Sequence, residues 1–308
     1  MRAWLRVAWP GAAILLLAGC RTLPLATGEA VKTGDEIIVA GRRFHTGTRV
    51  ITWQDPGGYD GYAGLPPFAP RHGVLDAAGE ARVSAHGWTV PELQRAVDQF
   101  VLHYDVCGVS KVCFKVLHER GLSVHFLLDV DGTVYQTIDL QERALHATIA
   151  NSRSIGIEIA NIGAYPPGAA KPLDEWYEHP GGGETVLRVP ARIGDPGIAT
   201  PHFTGGPARA TPVRGRVQDE TLVQYDFTPQ QYAALTRLTA ALCRIFPRIA
   251  CDYPHTWTGR PIAHKLPDGD LANYHGILGH YHIQANKADP GPAFQWRRFI
   301  AGVRAELK

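Results

Sequence analysis

The stretch SIGIEIANIG, residues 154–163, places a carboxylate in the middle of an apolar alternation. The alternation has the strand period, so Ile155, Ile157 and Ile159 face one side, and Gly156, Glu158 and Ala160 the other. Glu158 therefore sits on the small-residue face of a strand made to be covered. Burying an ionised carboxylate there without a partner is costly. The fold has to give Glu158 a partner or a task, and that requirement constrains the architecture more than any bulk property does.

The rest of the chain supplies the layers. DEIIVAGRRFHTGTRVITW (35–53) reads as two strands around a Gly-containing turn. TVPELQRAVDQF (89–100) predicts a helix capped by Thr89 and opened by Val90-Pro91, with Leu93, Val97 and Phe100 on one face. FVLHY (100–104) is a short apolar strand carrying His103. SVHFLLDVDGTVYQTI (123–138) is two strands joined by Asp131-Gly132, a strong hairpin signal. FTPQQYAALTRLTAALCRIFP (227–247) is a helix with Thr228 as cap, Pro229 at its first position and Leu235, Leu238 and Leu242 on one face. AFQWRRFIAGVRAEL gives a last helix. Strands alternating with helices imply an α/β protein with a central mixed β-sheet flanked by helices. Residues 164–226, with HPGGGE, DPG and FTGGPARATP, show little periodicity and read as a long loop-rich insertion, either a functional lid or a passive loop. Trp176, Tyr177 and His202 within it are candidates for stacking on sugars. The expected organisation is an N-terminal β/loop extension over 36–88, then a main domain over 89–308 that contains the insertion.

The first six residues carry two arginines, and an apolar run, AAILLLAG, ends at Cys20. This is the layout of a secretory signal, and the run is too short to be read as a membrane span. LAGC, residues 17–20, resembles the bacterial lipobox. It implies a cleaved peptide 1–19, a lipidated Cys20 and a tether over 20–35. Arg21 follows the cysteine, which by resemblance to envelope lipoproteins implies an outer-membrane address facing the periplasm. Export places the other cysteines, Cys107, Cys113, Cys243 and Cys251, in an oxidising space. Four cysteines allow three pairings. The close spacings make 107–113 and 243–251 the simplest disulfides, while sequence alone leaves the choice open. The formal charge of +2 gives no electrostatic case for nucleic acid. A monomer is expected.

Taken alone, His103 is an ordinary buried histidine and Asp289 part of an ordinary Asp-Pro-Gly turn. Together the pieces form a pattern. VLHYD (101–105), SVHFLLDVDG (123–132), HATIANSRSIGIEIAN (146–161) and GHYHIQANKADPGPAF (279–294) follow one another in order. They resemble the four sequence blocks of the zinc-dependent N-acetylmuramoyl-L-alanine amidases of type 2. That family shares its fold with phage lysozyme-type amidases and animal peptidoglycan recognition proteins. The resemblance covers 101–162 and 227–299, interrupted by the insertion. It implies one zinc ion held by His103, His280 and Asp289, with a fourth position left for water. Zinc would bring the pKa of that water toward neutrality. The resemblance further implies Glu158 as the proton carrier and Lys287 as the cation beside the developing oxyanion. His146, Asn151 and Tyr104 become candidate substrate contacts, although His146 could equally orient the loop 151–154. His125 falls at a family position that is structural or pocket wall, and His282 stands as a reserve ligand. HIQAN after the Gly-His replaces a more usual acidic, proline-bearing loop and leaves that loop's geometry open.

The implied substrate is peptidoglycan or a muropeptide, cut between N-acetylmuramic acid and L-alanine. Two alternatives remain at this point. One is a non-catalytic peptidoglycan-binding lipoprotein of the same fold. The other is a different zinc amidohydrolase or peptidase, although the chain has no HExxH helix.

Overall fold

The computed structural model describes residues 32–64 and 68–308. The signal sequence, Cys20 and the tether as far as residue 31 lie outside the described residues.

Strands β1 (Glu36–Val39) and β2 (Arg42–His45) form a hairpin, followed by β3 (Val50–Thr52). Helices α1 (Ala77–His86) and α2 (Val90–Ala96) lead into β4 (Gln99–Tyr104). Helix α3 (Ser110–Glu119) precedes the hairpin β5 (Phe126–Leu128) and β6 (Val134–Gln136), and β7 (Ser154–Ile159) follows. The insertion holds α4 (Lys171–Trp176) and the hairpins β8 (Tyr177–Gly181)–β9 (Glu184–Leu187) and β10 (Val213–Val217)–β11 (Glu220–Gln224). Then come α5 (Pro229–Ile245), α6 (Asp268–Asn273), β12 (Gly276–Gly279) and α7 (Trp296–Glu306).

The central sheet runs β12-β4-β7-β5-β6-β3. It is parallel from β12 to β5, turns antiparallel at the β5–β6 hairpin, and ends with β3 parallel to β6. This is the mixed sheet the sequence implies. Ile155, Ile157 and Ile159 share one apolar cluster with Phe100, Leu102 and Leu128 and with the apolar faces of α5 and α7. On the other face Val101 and Leu278 pack with Ala147, Ala150 and Leu271. Covering both faces explains why these strands read as nearly unbroken apolar runs. Helix α5 starts where expected: Thr228 Oγ1 accepts from Gln231 N at 3.0 Å, and Gln231 Oε1 accepts from Thr228 N at 2.9 Å.

Three expectations change. The helix read over 89–100 stops at Ala96, and Phe100 belongs to β4 between Ile155 and Ile277. Pairing on both edges outweighs helical spacing there. Asp98, at the changeover, accepts from Arg153 Nε at 2.6 Å and from Arg248 Nη2 at 2.9 Å. The segment 36–88, read as an N-terminal β/loop extension, also builds the main domain, since β3 forms an edge of the central sheet and Ile37, Val39, Phe44 and Val50 join the main core. Trp176 and Tyr177 are buried, in a cluster with Leu173 and Tyr225, so neither is available to stack on a sugar. Gly108, at φ +78°, makes room for the indole, because a Cβ there would lie 2.4 Å from Trp176. His202 is exposed in the same insertion.

The four described cysteines are free thiols, so the expected 107–113 and 243–251 disulfides are not formed, although Cys107 lies beside Cys113 and Cys243 beside Cys251.

Arg71 is a feature that sequence reading missed. It is 1% exposed. Its guanidinium donates to the carbonyls of Leu140, Ser152 and Ser154, each at 3.0 Å, and so ties the N-terminal segment to the start of β7. Burial pulls its pKa down to about 9, with the Glu142 charge opposing the shift. Arg71→Ala leaves buried carbonyls without donors and should cost about 3 kcal/mol or more. Urea unfolding measures this, and a loss below about 1 kcal/mol would contradict the role given to Arg71.

Candidate metal centre and active site

The register of three parallel strands builds the site. His103 lies opposite Glu158 in the β4–β7 pair, and Gly279 lies opposite Leu102 in the β12–β4 pair. The next residue after Gly279, His280, therefore comes level with His103. Two imidazoles and a carboxyl group end up side by side at the carboxyl ends of β12, β4 and β7, the edge where open α/β sheets bind ligands. Asp289 arrives from the loop after His280, which doubles back so that Tyr281 N donates to Asp289 O at 3.1 Å. Gly279 permits the return, since a Cβ there would lie 2.6 Å from Pro290 Cδ.

Nδ1 of His103 is 3.0 Å from Nδ1 of His280 and 2.8 Å from Oδ2 of Asp289, and the third side of the triangle is 3.0 Å. The outer ring nitrogens are already engaged. His280 Nε2 donates to Gln284 Oε1 at 2.7 Å. His103 Nε2 lies 3.0 Å from His146 Nδ1, and His146 Nε2 lies 3.2 Å from Ser154 Oγ, a chain that can take the His103 proton on Nε2. With those protons placed outside, both Nδ1 lone pairs and a carboxylate oxygen point at one spot. Three acceptors facing one another repel unless a cation lies among them. Two imidazoles and one carboxylate are also the donor set of an open zinc site. The residues fit the metal, with outer partners fixing the rings. Burial, then the neighbouring His280, pulls His103 down to about 4, so its imidazole is neutral at physiological pH. Burial alone would raise the Asp289 carboxyl, but the two imidazoles hold it below the usual range and ionised.

Glu158 stands beside this triangle. Its Oε2 is buried and has no hydrogen-bond partner. Burial, then the charges of Asp289 and Asp105, pushes its pKa well up. Lys287 is half-buried on the same cavity, and its charge opposes that shift. The cavity measures about 590 Å³. It runs from His103, His280 and Asp289 to an apolar wall of Val116, Leu117, Leu122 and Leu145, with Tyr104 and Asn151 also lining it.

The structure thus brings together His103, His280, Asp289, Glu158 and Lys287. His146 also touches the cavity, yet its two ring nitrogens are committed to His103 and Ser154. Gly156 leaves space for that ring, because a Cβ would lie 2.5 Å from His146 Nδ1. Asn151 Oδ1 accepts from Ala147 N at 2.6 Å and from His146 N at 3.2 Å, so this side chain shapes the loop as well as lining the cavity. His125 is fully buried and its Nδ1 accepts from Gly156 N at 3.1 Å, the structural position expected of it. His282 is not a ligand: Nδ1 accepts from Gly279 N at 2.8 Å and Nε2 donates to Ile262 O at 2.7 Å. Sequence reading missed Gln284. Its one signal is its position four residues after His280, one helical turn on.

A second triad, Asp35, Glu36 and His45, lies on the N-terminal hairpin. Thr33, Gly34 and Gly47 donate to its carboxylates, which makes it a turn network.

The sequence profile of a family described as N-acetylmuramoyl-L-alanine amidase matches residues 93–292. None of the curated proteins compared matches the chain. Among solved structures, a selenomethionine derivative of AmpD is 18% identical, with 68% of this chain and 86% of that one covered at a TM-score of 0.34. The amidase AmiD from E. coli, solved with anhydro-N-acetylmuramic acid-L-Ala-D-gamma-Glu-L-Lys, is 16% identical, with 67% and 57% covered at 0.39. The amidase LysC from Clostridium intestinale is 12% identical, with 83% and 97% covered at 0.37.

The buried Glu158 makes a pH prediction for the metal-free protein. Its folded pKa lies above the unfolded value of 4.5, so its stability contribution is full below 4.5 and is lost as pH rises through the folded pKa. Glu158→Gln removes that loss. The variant should unfold at higher denaturant than the wild type at neutral pH, with the gap closing toward pH 4.5. A gap that does not change with pH would show that Glu158 is not the titrating group.

Proposed function

The chain belongs to the N-acetylmuramoyl-L-alanine amidase family, and on that premise we propose that it is a zinc-dependent hydrolase. It cuts the amide between the lactyl group of N-acetylmuramic acid and the L-alanine of the stem peptide, in peptidoglycan or its fragments. One observation carries the reading: His103 Nδ1, His280 Nδ1 and Asp289 Oδ2 converge within 3.0 Å of one another, beside an unpartnered buried oxygen of Glu158.

His103, His280 and Asp289 would hold the ion. Zinc bound there supplies Lewis acidity and lowers the pKa of water toward neutrality. Glu158 holds and moves the proton. Its raised pKa favours a carboxyl that takes up a proton and gives it to the leaving amine. Lys287 keeps a positive charge on the cavity, where negative charge grows on the carbonyl oxygen. Gln284 and His146 hold the two rings by their outer nitrogens. Leu117, Leu122 and Leu145 give part of the cavity an apolar wall. The lipobox-like LAGC at residues 17–20 supports a lipid anchor on Cys20 in the bacterial envelope.

The test uses the chain from residue 21 onward, incubated with peptidoglycan and with defined muropeptides, and product masses are measured. Free stem peptides that begin with L-alanine should appear, vanish with a chelator and return with zinc. Glu158→Gln should lower kcat by about 10²–10⁴-fold. Lys287→Met should lower it by about 10²–10³-fold. Bound zinc without product would leave a peptidoglycan-binding protein, and turnover indifferent to the chelator would remove zinc from the reaction.

A further inference from the structure

We infer that Gln218 is a positioning residue for the metal centre, and that the insertion over 164–226 braces the loop carrying His280, Lys287 and Asp289. This rests on the amidase reading of the site.

Gln218 occupies the turn of the β10–β11 hairpin at φ +47°, a left-handed conformation uncommon for a residue other than glycine. That backbone turns its side chain onto the loop after His280. Gln218 Nε2 lies 2.8 Å from Tyr281 O, 3.1 Å from Gln284 O and 3.1 Å from Lys287 O. Two amide hydrogens are thus shared among three carbonyls. Its Oε1 accepts from Lys265 N at 3.1 Å, and its backbone N donates to Ala263 O at 2.7 Å. Every polar atom of the side chain is in use.

The three carbonyls are the ones that matter for ligand geometry. Tyr281 follows His280, Gln284 carries the amide oxygen that fixes the His280 ring, and Lys287 precedes Asp289 by two residues. The loop has a single 3₁₀ turn, His280–His282, and few backbone bonds of its own. The same hairpin grips again at its far end. Buried Gln224 donates through Nε2 to Pro290 O at 3.1 Å and accepts through Oε1 from Ala293 N at 3.0 Å. Gly291 permits that approach, because a Cβ there would lie 2.1 Å from Gln224 Oε1. The hairpin holds the ligand loop on both sides of Asp289. Among the described residues, none from 164 to 226 lines the cavity, which sets a brace apart from a lid.

The test is zinc affinity, measured by competition with a chromophoric chelator on folded protein below its melting temperature. Gln218→Met keeps the volume and removes the donors. Gln218→Glu keeps the acceptor for Lys265 N and sets an anion against three carbonyls. Both should bind zinc about 10- to 100-fold more weakly than wild type, the usual loss when a ligand's outer support is removed. Asp219→Ala, at the same turn and exposed, should bind zinc as wild type does. Unchanged affinity in Gln218→Met and Gln218→Glu would overturn the inference, even if their melting temperatures fall. So would an equal loss in Asp219→Ala, since the effect would then come from the hairpin at large. If wild-type protein bound no zinc, the amidase reading would fall and this one with it. Zinc-binding wild type with equally tight Gln218 variants would sink this inference alone.

Discussion

The parallel pairing of β12, β4 and β7 is the constraint on which the rest depends. Side chains in directly opposed positions of a sheet stand side by side on one face, and slipping one strand by a residue would turn its set to the other face. In the observed register His103 and Glu158 are neighbours and His280 emerges level with them. In a slipped β7, Ile157 or Ile159 would stand where Glu158 does, and the carboxylate would enter the apolar layer beneath α5 and α7. The register is held from both sides. The isoleucines of β7 lock into that layer, and Gly156 opposite them leaves the volume that the His146 ring fills.

Charge follows from the same placement. The strand ends are buried, so the His103 imidazole stays neutral, Asp289 stays ionised between the two rings and Glu158 resists ionisation. Two carboxyl groups a short distance apart are pushed in opposite directions by what surrounds them: two imidazoles flank one, and an apolar strand with like charges flanks the other. Divergent pairs of this kind mark acid–base chemistry. Here they separate a group suited to holding a cation from one suited to carrying a proton.

Much of this was legible in the chain. A glutamate inside SIGIEI had to have a partner or a task, and four ordered blocks pointed to His103, His280, Asp289 and Lys287 around it. The Asp-Gly hairpin and the Thr228 cap were equally direct, because turn and cap chemistry are local. What escaped was non-local. Helix α2 ended early because β4 is paired on both edges, a fact outside its own window. Trp176 and Tyr177 looked like free aromatics because nothing in their neighbourhood of sequence shows that Gly108 and Tyr225 receive them. Gln218 and Arg71 carried no motif at all. Each is a polar residue whose side chain donates to main-chain carbonyls 63 residues or more away in sequence, and a carbonyl is the same in every residue.

That last property has a consequence of its own. Arg71 grips the backbone before β7, and Gln218 grips the backbone after β12. Both hold the path of a segment without reading its side chains. A loop held in this way can change its lettering, wherever a side chain is not itself engaged as those of His282 and Gln284 are, while keeping its course. HIQAN can therefore stand after the Gly-His, where a different vocabulary is usual, and still deliver Asp289 to within 3.0 Å of both histidines.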